Sequence, residues 1–215
     1  GNGKMSANVT ITMRALNRLP QYLSYLKSIP KDDGTNISAT SIAEALGLND
    51  VQVRKDLAAV SNGGKPKVGY NVKALMADIE GYLGFNDTNN AVIVGVGNLG
   101  RALLSYDGFK EYGLDIVAGF DKNESVVGSE VNGKIVLPID ELTHICRRMK
   151  IHIGIIAVPS RNAQEVCDTL ISSGIMAIWN FANTHISVPE GVLLQNENMA
   201  TSLALLSTHL AQKIS

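Results

Sequence analysis

The sequence predicts an α/β chain of two parts, a small helical front domain followed by a mostly parallel sheet wound with helices. Three observations carry that expectation. Residues 8 to 84 place apolar side chains at helical spacing, as in Leu19, Tyr22, Leu23 and Leu26 and again in Val72, Leu75, Met76, Ile79 and Leu83. From Asn90 the rhythm changes to short apolar runs separated by helical patterns: AVIVG, DIVAGF, KIVLP, IGIIAV, IMAIWN and GVLLQ. Strands interleaved with helices build parallel βαβ units. Between the two regimes lies GFNDTNN, residues 84 to 90, a glycine and polar cluster that suits a linker. The expected division is residues 5–84 for the front domain, 85–198 for the sheet domain and 199–215 for a last helix.

Length and composition are consistent with two domains, since 215 residues exceed the roughly 100 to 150 of a typical single one. Hydrophobic residues make up 45% and charged residues 18%, and no apolar run approaches the roughly 18 residues of a membrane span. After the leading GNGK the chain lacks the long apolar core of a signal peptide, so a soluble, cytoplasmic protein with no membrane partner is expected. Cys146 and Cys167 have neither metal-ligand spacing nor a dense disulfide pattern; free thiols and no metal are expected. The charge is uneven. Residues 1 to 84 hold ten Lys and Arg against seven Asp and Glu, and residues 85 to 215 hold nine against thirteen. A basic front half favours a polyanionic partner for that half.

In the front domain, SATSIAEALGLNDVQVRKDLAAV, residues 38 to 60, reads as helix, glycine turn, helix. Ser38 or Ser41 caps the first helix, Gly47 ends it, and Asn49 caps the second. On that second helix Val53, Leu57 and Val60 share one face and point to the core. The opposite face presents Val51, Gln52, Arg54, Lys55 and Ala58. Gln and Arg bond base edges, small apolar groups touch thymine methyls, and Lys55 suits a phosphate, so this face fits a major groove. NGGKPKVGY, residues 62 to 70, reads as a β-hairpin wing that projects Lys65 and Lys67 toward a DNA backbone or minor groove. Arg14 and Arg18 on the first helix either add phosphate contacts or pair with acids of the other domain. The front domain is thus expected to be a winged helix-turn-helix that binds double-stranded DNA.

The sheet domain opens with AVIVGVGNLGRALL, residues 91 to 104, a strand, a glycine turn and a helix. Gly95 permits a tight turn, Gly97 lets the backbone approach a pyrophosphate, and Gly100 lets helix and strand pack closely. Val96, Asn98 and Leu99 lie between them, and the helix N-terminus offers free N–H groups to the phosphates. The next strand ends in Asp121, twenty-one residues after Gly100, where an acid bonds ribose hydroxyls. That carboxylate favours NAD(H) over a 2′-phosphorylated dinucleotide, although Lys122 stands beside it. Ligands of such Rossmann-like sheets bind beyond the carboxyl edge, so Ala157, Val158, Pro159, Asn180 and Phe181 at two further strand ends are candidates, with Val158 and Pro159 forming an apolar wall for the nicotinamide and Phe181 stacking nearby.

Catalytic equipment is missing from this pattern. His144, His152, His185 and His209 are scattered, and no nucleophile or metal motif is present, so the nucleotide is expected to be sensed rather than consumed. Two alternatives stand beside this. One is a small NAD-dependent oxidoreductase that dimerises through its front domain; the other is a coenzyme A binder, against which Asp121 argues by favouring a ribose diol. The last segment, Met199 to Lys213, is amphipathic through Leu203, Leu206 and Leu210 and has no following strand to cover.

Taken in order, RLPQYLSYL (18–26), ALGLNDVQVRKDL (45–57), KVGYNV (67–72), VGVGNLGRALLSY (94–106), GFDKN (119–123), AVPSRNAQEVCDTLISSGIMAIWNFA (157–182) and VPEGV (188–192) resemble the Rex family of bacterial redox-sensing transcriptional repressors. The resemblance implies a homodimer whose winged helices bind a palindromic operator and whose Rossmann domains bind NADH or NAD+, with NADH releasing the DNA. It also implies that the C-terminal helix swaps across the dimer. It places Gly95 to Gly100 at the pyrophosphate, Asp121 at the adenosine ribose, Val158, Pro159, Asn180 and Phe181 near the nicotinamide, and Tyr106 near the cofactor and dimer interface. Two stretches depart from the family pattern: AAVSNGGKP after the recognition helix, and Asn183 where a proline commonly follows NFA.

Overall fold

A computed structural model describes residues 12–30 and 32–214, so the expected limits at Met5 and Ser215 lie outside the described residues. The chain divides into two compact units between Asn86 and Asp87.

The front unit is built from four capped helices. Thr12 caps α1 (Met13–Ser28), Ser38 caps α2 (Ala39–Leu46), Asn49 caps α3 (Asp50–Val60) and Asn71 caps α4 (Val72–Tyr82), each side chain accepting a first-turn N–H. Such caps satisfy donors that the helix itself leaves unpaired. Gly47, at φ 65°, ends α2 in the left-handed conformation and turns the chain into α3. Leu19, Tyr22, Leu26, Ile42, Leu57, Leu75 and Ile79 are fully buried and draw all four helices onto one core.

Two features depart from the nearly all-helical expectation. Strands β1 (Asn36–Ile37) and β2 (Tyr70–Asn71) pair antiparallel, and at two residues each they are too short to show a period. The expected hairpin wing is a tight loop held by a single bridge between Lys65 and Gly69, with N–H to O distances of 3.0 and 2.8 Å. Its outgoing strand pairs with β1 instead of with its own other arm. Gly69 is required there: φ is 82°, and a Cβ would lie 2.3 Å from the Ile37 carbonyl oxygen.

The second unit follows the order β3 (Asn89–Val94), α5 (Asn98–Ser105), β4 (Leu114–Asp121), β5 (Glu130–Val131), β6 (Lys134–Pro138), α6 (Leu142–Arg148), β7 (Ile153–Ile156), α7 (Ala163–Ser172), β8 (Ala177–Asn180), β9 (Leu193–Asn196) and α8 (Met199–Ile214). A 3-10 segment, Asp107–Tyr112, lies between α5 and β4. The seven strands are ordered β5-β6-β4-β3-β7-β8-β9, parallel except for β5 against β6. The six apolar runs of the sequence became β3, β4, β6, β7, β8 and β9. β5 was missed although Asn132-Gly133, at φ 52° and 76°, is a hairpin signal of the kind that needs two positive φ angles.

Strand order reverses at β3, which has β4 on one side and β7 on the other, so the carboxyl ends of β3 and β7 splay around a crevice. Both faces of β3 are buried, Val92 and Val94 toward α6 and α7, Ala91 and Ile93 toward α5. Beyond them the two faces differ. Leu142, Cys146, Cys167 and Leu170 cover one, but no helix joins β8 to β9, and α8 buries none of its residues. Leu203, Leu206 and Leu210 of α8 are 63%, 66% and 55% exposed. Among the described residues no helix is long and apolar enough to cross a membrane.

Candidate functional site

The glycine turn of the second unit is shaped by three different steric demands. Gly95 has φ 97°, and a Cβ on it would lie 2.6 Å from the carbonyl carbon and oxygen of Ala157. Gly100 sits so close beneath the turn that a Cβ would lie 1.7 Å from the Gly95 oxygen. Gly97 differs: it is the N-cap of α5, makes no side-chain cap bond, and a Cβ on it would meet nothing within 4 Å. Two glycines are thus demanded by the protein's own packing, and the third opens onto space in front of a helix N-terminus whose first N–H groups lack intrahelical partners. Asn98 is exposed and Leu99 half-buried on that first turn.

Asp121 ends β4 beside this turn. Its Oδ2 accepts the Val96 N–H at 2.9 Å and its Oδ1 accepts the Asn123 N–H at 2.8 Å. The acid therefore fastens the glycine turn, and each oxygen keeps acceptor capacity for one more donor. Val96 contributes its N–H here, while its side chain is buried in the core. A cleft of about 600 Å³ brings Gly95, Gly97, Asp121 and Lys122 together with Ala157, Val158 and Pro159 from the end of β7. Arg161, Asn162 and Glu165 also line it and were not anticipated. A signal existed, since Arg161 follows the strand end AVPS by one residue.

Asn98, Leu99, Tyr106, Asn180 and Phe181 do not line this cleft. Asn180 is fully buried and its amide is occupied: Nδ2 donates to the Ala182 oxygen at 3.2 Å and to Asn196 Oδ1 at 2.9 Å, while Oδ1 accepts the Ala182 N–H at 2.9 Å. Phe181 lies in a row of rings, 4.7 Å from Trp179, which is 5.6 Å from Phe109, which is 4.8 Å from Tyr106. Of the expected nicotinamide neighbours, Val158 and Pro159 line the cleft and Phe181 stands apart from them. Val158 packs with the core under α6 and α7, whereas Phe181 packs with the core under α5. Val158 and Phe181 lie on opposite faces of the sheet, and of the two only Val158 lines the cleft.

In the front unit, Val51, Gln52, Arg54, Lys55 and Ala58 are all exposed on α3, and Val53 and Leu57 are fully buried. Arg54 shares a second cleft, of about 490 Å³, with Lys65, Lys67, Ser38 and Thr40. Its described lining holds three cations and no acid, which focuses positive potential between helix and wing. Arg14 is exposed on α1. Arg18 is turned inward: two of its guanidinium donors are held by an acid of its own unit. Arg18 Nε and Nη2 donate to Asp56 Oδ2 and Oδ1 at 2.7 and 3.0 Å.

Asp56, which the sequence did not single out, is 3% exposed. Tyr22 Oη donates to Oδ2 at 2.5 Å and Gln52 Nε2 donates to Oδ1 at 2.9 Å. Burial pushes the Asp56 carboxyl up, but the hydrogen bonds from Arg18, Tyr22 and Gln52 outweigh it and hold the group below the ordinary carboxylate range. Burial first, and the bond to Asp56 second, push the Tyr22 phenol up. Burial likewise pushes the Cys146 thiol up to about 11, which leaves it a protonated core side chain. No cluster of three metal-ligating side chains occurs among the described residues.

Comparison with known proteins covers both units. The family model described as "CoA binding domain" matches residues 86–184, and that described as "Putative DNA-binding protein N-terminus" matches residues 10–58. The redox-sensing transcriptional repressor Rex of Treponema denticola is 43% identical over 199 residues, 93% of this chain and 95% of that protein. The protein of the same name from Clostridium acetobutylicum is 36% identical over 203 residues, 94% of this chain and 95% of that one. Among solved structures, RSP in complex with beta-NAD+ and operator DNA superposes with a TM-score of 0.89 at 34% identity, covering 95% of this chain and 94% of that one. RSP in complex with beta-NADH gives a TM-score of 0.86 at 34% identity, with 95% and 96% covered. Identity at this level across both units, with the fold preserved over 95% of the chain, makes it a member of the Rex family of redox-sensing transcriptional repressors.

Proposed function

We propose that the protein is a transcriptional repressor, not an enzyme, that binds operator DNA as a homodimer through its front unit and is released when its second unit holds NADH. The observation that carries this reading is the pairing, in one chain, of an open glycine turn at a helix N-terminus with an exposed, cation-flanked recognition helix.

The residues present fit a dinucleotide. Gly97 leaves free the space that a pyrophosphate needs, and the first turn of α5, Asn98 through Leu99 to Gly100, offers backbone N–H groups there, while the N–H groups of Gly95 and Val96 are used by the Phe120 carbonyl and Asp121 to hold the turn. Asp121 retains acceptor capacity for the adenosine ribose hydroxyls, with Lys122 at the rim of the same cleft. The same carboxylate disfavours a phosphorylated ribose, which argues for NAD(H) over coenzyme A despite the name of the matching domain family. Val158 and Pro159 serve one side of the nicotinamide half and Phe181 and Tyr106, with Ala157 on the same sheet face as Phe181, the other, while Asn180 braces the following loop through Ala182. When bound, the dinucleotide supplies a ring that is neutral in the reduced form and cationic in the oxidised form. An apolar surround prefers the neutral ring, because burying an unpaired charge is costly.

Such a preference acts on DNA only if the released and DNA-bound states of the dimer differ in affinity for the two forms. A hundredfold difference corresponds to about 2.7 kcal/mol. The structure of RSP with beta-NAD+ and operator DNA together supports compatibility of the oxidised form with DNA. The unburied leucine stripe of α8, in a unit whose β8–β9 connection carries no helix, supports an exchange of that helix between protomers. A cytoplasmic location follows from the role. A gel shift on promoter DNA is the test: NADH releases the complex at concentrations where NAD+ does not, and equal release by both forms sinks the reading.

A further inference from the structure

The buried carboxylate of Asp56 offers four acceptor positions, and four donors fill them. Arg18 takes two with its fork, Tyr22 a third, and Gln52, one helical turn earlier on α3, the fourth at 2.9 Å. A carboxylate only accepts, so the end of the Gln52 amide that faces it is the nitrogen, and the carbonyl oxygen is turned away. An unattached glutamine exchanges the two ends of its amide by rotating its last bond. Gln52 is exposed like the groove-facing residues around it, yet one end of its amide is tied to a charge that α1 and α3 hold between them.

We propose that Asp56 makes Gln52 a one-way reader of base edges, so that each half-site must present an adenine where Gln52 meets it. This rests on the reading that α3 enters the major groove. Adenine displays an N6 donor beside the N7 acceptor; Gln52 Oε1 accepts from the first, and the remaining N–H of Nε2 reaches the second. Guanine displays only acceptors, N7 and O6, on the same edge. A free glutamine turns its nitrogen toward them, whereas a tied one sets Oε1 against O6. The tie also removes side-chain freedom before binding, so less is lost when the complex forms. Asp56 is thereby a positioning residue for specificity, acting through Gln52.

The test uses the full-length protein and the site it selects from a randomised pool of duplexes. A panel in which each base pair of that site is changed singly gives a discrimination ratio for every position. Gln52→Ala flattens the adenine-over-guanine ratio, from roughly tenfold to near unity, at one symmetric position per half-site and leaves the others. Asp56→Asn keeps Gln52 but frees its amide, and guanine becomes tolerated at that same position. A merely structural Asp56 instead weakens every duplex alike, and such uniform loss overturns the tie. Should Asp56→Asn fail to fold, NMR of the wild-type protein decides: the Gln52 amide proton that faces Asp56 is shifted downfield and protected from exchange with water relative to its partner, and two protons with the shifts and exchange rates of a free glutamine overturn the proposal. Unchanged ratios in Gln52→Ala also overturn it. A wild-type protein that selects no site at all overturns the DNA-binding reading itself.

Discussion

Asp56 and Asp121 are two aspartates at the heart of the two units, and their surroundings differ in one respect. Asp56 receives four hydrogen bonds from three side chains and is sealed from water. Asp121 receives two, both from backbone N–H groups, and lines a cleft. A saturated carboxylate is a structural joint; an unsaturated one beside open space is a receptor. The difference teaches that neither residue type nor charge separates fold from function here, but the count of acceptor positions left over.

Breaking the saturated joint has the largest expected effect. Asp56→Ala leaves Arg18 and Tyr22 without their partner, and loss of one member of a buried pair costs about 3–5 kcal/mol. The front unit's melting transition is expected to collapse in calorimetry while NADH titration of the second unit still saturates. The same joint sets an acid limit. Its folded carboxyl lies below the ordinary value, so its contribution is complete above the unfolded pKa, near 3.9, and is lost as pH falls through the folded one. Circular dichroism is expected to show the front unit's stability declining below about pH 4 and an Asp56→Asn protein lacking that decline.

Changes at the receptor are smaller and fall on binding. Gly100→Ala forces a Cβ into the Gly95 oxygen, so the turn must shift, and overpacking of this kind costs about 1–3 kcal/mol. NADH affinity is expected to fall more than operator affinity when both are titrated. Asp121→Asn keeps one acceptor for the turn and loses the charge; a loss of NADH affinity of about tenfold, or about 1.4 kcal/mol, is expected in a fluorescence titration, with NADPH affected less. Smallest for specificity is the pair Lys65→Ala and Lys67→Ala. Their removal weakens all duplexes alike and lowers the salt slope of binding by about 2. A sequence-dependent loss would move these lysines from backbone to base contact.

How much of this was legible in sequence follows the range of the interactions. The strand, glycine turn and α5 were legible because a short continuous apolar run gives way to a helical period across three glycines, all within one short stretch. The outward face of α3 was legible for the same reason, since Val53 and Leu57 fix the inward one. The Asp56 joint was not, because its partners Arg18 and Tyr22 lie 38 and 34 residues away and no local pattern links them. Strands β1, β2 and β5 have two residues each and no period to read. The separation of Val158 from Phe181 turns on the sheet face each strand end reaches, which depends on the register of β7 against β8.

Gly97 carries a further consequence for anyone probing the second unit. Because a methyl group there touches no atom of the folded chain, alanine at this position is silent to the protein and audible only to whatever occupies the crevice. It separates the work of holding shape from the work of admitting a guest, which its neighbours Gly95 and Gly100 cannot do.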